Sequence, residues 1–138
     1  MKIAIENGKL GQAIDLLFNL SLIGKQSRHR TSLILIMNER LKEVEVQEKE
    51  LLKEHCYLDE AGEPKKKDND QYWDIKDIET FVQDKKELME EELVIEGGDH
   101  HGMLKTVKSI LLDCDVEFSR QQAVIYDYLC ELFEGGDE

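Results

Sequence analysis

The sequence predicts a mostly α-helical protein with a minor β component: a helical bundle on a long antiparallel helical hairpin, plus a small two-stranded β patch. Three observations predict it. Proline occurs once, at Pro64, so almost the whole chain is free to be helical. Glu, Lys, Leu and Gln are frequent, and these residues form helices readily. Apolar residues recur at three- and four-residue spacing over long stretches, whereas β-like runs are read only at residues 2–6 and 93–96.

The elements follow in order. Residues 2–6 alternate apolar and polar, with Ile3 and Ile5 on one face, and Asn7-Gly8 supplies a turn. Leu10, Ala13, Ile14, Leu16, Leu17 and Leu20 mark a first helix over 10–23, with Gly24 as its stop. The longest helix is expected from Ser27 to Cys56. Its stripe is Ile34, Met37, Leu41, Val44, Leu51 and Leu58, with Glu48 and His55 as off-pattern members. Residues 59–72 are polar and read as a mobile loop or exposed hairpin. Asp74 then caps a helix whose stripe is Ile75, Ile78, Val82 and Met89, with Phe81 and Leu88 beside it. This helix should fold back along the long one. Leu93 to Glu96 is β-like, precedes Gly97-Gly98 and is the natural mate of residues 2–6. Leu104, Val107, Leu111 and Cys114 mark a fourth helix. Ser119 with Gln122 reads as a capping box for a fifth, through Ile125, Tyr128, Leu129, Leu132 and Phe133 and ending before Gly135-Gly136. The tail Asp137-Glu138 reads as frayed.

Length and charge bound the class. The 138 residues fit one domain, 1–138. The net charge of −13 is uneven: residues 1–40 carry six Lys/Arg against three acids, the remainder 12 against 28. Such a chain should avoid nucleic acid and anionic membranes and attract basic partners. The longest apolar run, Leu33 to Met37, is too short to span a bilayer. No secretory signal is read. Cys56, Cys114 and Cys130 are odd in number, without C-x-x-C spacing, and read as reduced thiols of a cytosolic protein.

Few motifs carry chemistry. Lys25, Arg28, His29 and Arg30 open the long helix and are candidates for binding an anion or an acidic partner, against the plainer alternative of local salt bridges. Gly24-Lys25 is no phosphate loop, because Asn19 stands where its first glycine belongs and Gln26 where Ser or Thr belongs. His100 and His101, with Asp115, Asp113 or Cys114, are weak metal-ligand candidates lacking ligand spacing. The plainer reading is a flexed loop before a helix. His55-Cys56 cannot pair as base and nucleophile, since neighbouring helical residues point about 100° apart. Asp113 and Asp115 bracket Cys114 with the charge that disfavours a thiolate. Glu87, Glu90, Glu91, Glu92, Glu96 and the 68–84 stretch form an acidic surface, either a soluble face or an imitation of DNA phosphates. Trp73, the sole tryptophan, reads as an anchor of the 59–72 segment or as a binding hot spot.

The stretches Lys25 to Thr31, Leu41 to His55 with the following loop, Leu104 to Asp115 and Ile125 to Glu131 carry a resemblance along nearly the whole chain. They resemble a family of small proteins, a domain of unknown function, from tailed phages and prophages of Gram-positive bacteria. The resemblance implies a phage context, the host cytoplasm with virion association open, and no catalytic residue. The resulting expectation is a non-enzymatic phage protein, without catalytic residues or cofactor. It binds another phage or host protein, in virion tail morphogenesis or host interaction. Neither nucleic acid nor membrane is an expected partner, and homo-oligomerisation is left open. The alternative is an acidic, DNA-mimicking inhibitor of a host DNA-binding or defence protein. A metal enzyme using His100, His101 and Asp115 is the outside reading.

Overall fold

The computed structural model describes residues 1–136; the expectation for Asp137-Glu138 lies outside them. The order is β1 (Lys2–Glu6), a 3-10 turn (Asn7–Lys9), α1 (Leu10–Phe18), α2 (Gly24–His55), β2 (Lys66–Lys67), β3 (Tyr72–Trp73), α3 (Ile78–Glu90), β4 (Glu92–Glu96), a second 3-10 turn (Gly98–His100), α4 (His101–Leu112) and α5 (Arg120–Gly135). The protein is mostly helical with a minor β component, as the sequence predicts. No helix among the described residues is long and apolar enough to cross a membrane.

The chain forms two compact units, a division that the single-domain expectation does not draw. The first, the core unit, joins Met1–Leu41 to the chain from Glu92 onward. Here β1 pairs antiparallel with β4, Lys2 opposite Glu96 and Glu6 opposite Glu92, which is the predicted mating. Alternation buries Ile3 and Ile5 on one face, beside Ile95. A two-stranded ribbon is marginal in water, and α5 secures it: the Glu6 N–H donates to the Tyr128 hydroxyl (3.1 Å) and the Lys2 N–H to the Gly136 carbonyl (3.1 Å). A Cβ at Gly136 would collide with the Lys2 carbonyl oxygen, so the strand can approach only glycine there. Leu10, Leu17, Leu33, Met37, Leu104, Leu111, Leu129 and Phe133 complete a core drawn from every helix of the unit.

Three boundaries differ from expectation. α1 stops at Phe18, where the Asn19 side-chain amide donates to the Asp15 carbonyl (2.8 Å). Gly24 does not end that helix; it opens α2 with φ of 59°, a conformation natural to glycine. Ser119 occupies the N-cap of α5 but makes no side-chain capping bond, so the expected capping box is not formed.

The second, the hairpin unit, is Lys42–Glu91. It contains the distal part of α2, the β2–β3 arm and α3. α2 is continuous through His55, as predicted, but Leu58 lies beyond it and bridges to Pro64 instead. The 59–72 segment is a hairpin arm. The Asp59 carboxylate accepts from the Ala61 and Glu63 N–H groups, and Asp68, Asn69 and Asp70 all adopt positive φ at the tip. Asp and Asn tolerate that region better than other non-glycine residues. Asp74 is not a helix cap. Its backbone is held in the arm by Lys65 and Tyr57, and the cap is Asp77, whose carboxylate accepts from the Thr80 N–H (3.3 Å).

α3 also turns a different face inward. Ile78 and Val82 are 60% and 55% exposed, whereas Phe81, Asp84 and Leu88 point in. Those three share the 3–4 spacing of a helical stripe, with a carboxylate as its middle member. It faces the one polar residue that α2 buries in this unit, His55.

Candidate functional site

The basic cluster divides in two. Arg30 Nη1 donates to the Leu17 and Leu20 carbonyls (2.8 Å each), adding a side-chain donor where α1 ends. His29 Nδ1 shares a hydrogen bond with Thr106 Oγ1 (2.8 Å) on α4. Both therefore hold the core unit together, and Arg30 uses backbone carbonyls rather than the local salt bridges that the sequence suggested. Lys25 and Arg28 are exposed. Two of the four candidates are thus engaged within the core unit, and the other two lie at the surface.

His100 and His101 are exposed at the start of α4. Asp113 and Asp115 follow its other end, twelve residues and roughly 18 Å away by helical rise. The structure does not bring that proposed ligand set together.

It assembles another one. Glu54 and His55 end α2, and Asp84 lies mid-way along α3. One ligand atom from each lies within 4.8 Å of the other two, the one such group among the described residues. His55 is 9% exposed, and its Nε2 stands 2.7 Å from Asp84 Oδ2. Phe81 meets the imidazole edge-on, ring centres 5.8 Å apart. The ring is thus fixed by an aromatic wall on one side and a carboxylate on another. Just beyond, the hydrogen bonds of Thr80 hold the Asp77 carboxyl below its ordinary pKa, helped by the nearby His55 charge. Burial pushes the neighbouring Cys56 thiol up, and Asp74 adds to it, a direction that disfavours the thiolate. In the core unit, burial likewise raises Cys130 and pushes Tyr126, which donates to the Leu111 carbonyl, up to about 12.

Two clefts flank the α2–α3 hairpin. One, of about 310 Å³, is lined by Glu50, Glu54, Asp84, Glu87 and Glu91, with Gln47, Leu51 and Leu88 at its floor and rim and no cationic side chain. The other, of about 120 Å³, is lined by Leu51, Leu52, Trp73 and Phe81 between Glu48 and Lys85. Trp73 is placed as the anchor of the arm. It packs the arm against the helices, under Lys66 Nζ at 4.7 Å from the ring, and keeps 37% of its surface exposed. Ile78 and Val82 lie one helical step around α3 from Phe81 and Lys85, and they extend this apolar edge outward.

Sequence reasoning marked Glu87, Glu91 and the 68–84 stretch as acidic surface but missed that Glu50 and Glu54 join them in one furrow, and missed the Glu54–His55–Asp84 group. One signal was present: His55, with Glu48, stands off-pattern on the apolar stripe of α2. Its partner was hidden, because Asp84 sits in an acidic stretch and only the inward turn of α3 distinguishes it.

Comparison with known proteins returns no match: no family model, no curated protein and no solved structure.

Proposed function

We propose that this chain is a non-enzymatic interaction protein whose hairpin unit binds a basic, partly apolar segment of another protein. The observation that carries the reading is the contrast between the two edges of the α2–α3 hairpin. One offers Trp73, Phe81, Leu52, Ile78 and Val82; the other offers five carboxylates. Large aromatic and aliphatic side chains in a shallow cleft supply binding energy. A one-signed furrow steers an oppositely charged partner and sets its salt dependence. The charge is concentrated here: residues 42–91 carry nine Lys and seventeen Asp or Glu, a net −8 in 50 residues, against −5 in the other 88. The family resemblance directs the search to phage structural proteins and to host proteins.

The test is a titration of purified virion proteins and basic host proteins against this chain at about 0.1 M and 0.5 M salt, where screening length falls several ångströms. Affinity should drop by more than roughly tenfold at the higher salt. Trp73→Ala should weaken binding at both concentrations. Equal affinity at both salts, or indifference to Trp73→Ala, sinks the reading. The cation-free furrow favours a second reading, in which the partner is a DNA-binding protein and the carboxylates occupy its phosphate sites. In that case duplex DNA competes with this chain for the partner.

A further inference from the structure

We propose that Glu54, His55 and Asp84 form a binding site for a divalent transition-metal ion of the zinc type. The inference does not rest on the docking reading.

The donor set is one imidazole nitrogen and two carboxylate oxygens, their ligand atoms within 4.8 Å of one another. Imidazole favours zinc and its transition-metal neighbours over magnesium or calcium, which prefer all-oxygen shells of six or more donors. Three protein ligands with a fourth position left to water is a common zinc arrangement. The surroundings suit a cation. His55 is the last residue of a 32-residue helix, at the end where the helix dipole favours a cation. Glu50 and Glu87 line the same furrow, and Asp77 lies close enough for the His55 charge to act on its carboxyl. Two ionised ligands balance the charge of one M²⁺.

Preorganisation is unequal among the three. His55 is buried and braced by Phe81, so Nε2 has a fixed aim. Asp84 stands 2.7 Å from it, at hydrogen-bond distance, with a side chain 35% exposed. Ligands of a tetrahedral zinc at about 2.0–2.1 Å sit roughly 3.3 Å apart, so Asp84 must withdraw by about half an ångström. The metal replaces the proton between Nε2 and Oδ2. That proton passes to solvent, and the neutral ring keeps its other proton on Nδ1. Glu54 is exposed and closes the third position by a rotamer change.

The experiment uses the full chain, purified without a histidine tag and stripped with a chelator. It is titrated with Zn²⁺ by calorimetry and with Co²⁺ by visible absorption. The expected result is one ion per chain and the intense visible bands of a four-coordinate cobalt. Glu54→Gln removes an exposed ligand at no cost to the fold, and should weaken binding by roughly tenfold or more. Asp84→Asn should abolish the cobalt bands. The double substitution His100→Gln with His101→Gln should leave both readouts unchanged. Binding that is absent from the intact chain overturns the site and leaves His55–Asp84 a tie between two helices. Binding that survives Glu54→Gln and Asp84→Asn unchanged, or is lost with His100 and His101, overturns it equally.

Discussion

The two units of this molecule are stabilised by different means. The core unit buries a continuous set of side chains from β1, β4 and four helices, and Phe133, Leu10, Leu17, Leu104 and Leu111 are shut off from solvent. Its polar tethers include bonds to backbone groups, as Arg30 makes to Leu17 and Leu20, and the His29–Thr106 pair. The hairpin unit buries only Val44, Cys56, Leu88 and His55, and devotes part of that interior to an imidazole–carboxylate pair. It also exposes Tyr57, Leu58, Tyr72, Ile78 and Val82. A core of four residues supports little stability by itself. The difference separates a part of the chain with a continuous apolar interior from a part whose interior is small and partly polar.

Breaking the comparison at its strong side gives the largest effect. Phe133→Ala removes a fully buried ring and should cost about 3–5 kcal/mol in denaturant unfolding. A loss below about 1 kcal/mol would mean that the core unit is far looser than its burial implies. Next is His55→Ala, which leaves the Asp84 carboxylate without its partner. It should cost about 1–3 kcal/mol, and hydrogen exchange should quicken in α3 while β1 and β4 stay protected. Equal quickening in both regions would erase the distinction between the units. Arg30→Met keeps much of the side chain's bulk but forfeits two hydrogen bonds to carbonyls, and should cost about 1–2 kcal/mol. Its effect should fall on α1 protection first.

The smallest effect is electrostatic. The Asp77 pKa is lowered in the folded state, so the stability it contributes is fully present above the unfolded value of about 3.9. It is lost as pH falls through the lower folded value. Asp77→Asn should therefore lower stability slightly at neutral pH and flatten the acid limb below about pH 4, parent and variant converging as the pH falls through the lowered value. A variant whose acid limb matches the parent's would remove Asp77 from the account.

How legible each region was follows the same division. The β1–β4 pairing could be read because Ile3 and Ile5 alternate, and because Leu93 to Glu96 runs into Gly97-Gly98. α2 could be read because its apolar stripe persists for many turns. What failed were features set by tertiary packing. Ile78 and Val82 looked like the inner face of α3, yet Phe81 and Leu88 on the adjacent face fill the groove, and Asp84 between them satisfies His55. Asp74 and Asp77 are equally good caps by composition, and only the bonds of the arm to Tyr57 and Lys65 decide between them. Gly24 satisfies the rule for a helix stop and serves as a start, because Arg30 and Asn19 have already closed α1. At the candidate site, His55 was visible as an anomaly, while Glu54 and Asp84 were two acids among 31. Histidine neighbours in sequence, His100 and His101, drew more notice than histidine neighbours in space.

Trp73 has a practical consequence. The chain's single indole lies in the hairpin unit, stacked beneath an ammonium and open on one side, whereas Tyr126 and Tyr128 belong to α5. Light absorbed only by indole thus gives an optical signal from one half of the molecule, with no label attached. Melting of the arm, docking of a partner and quenching by bound cobalt each become visible against a silent background.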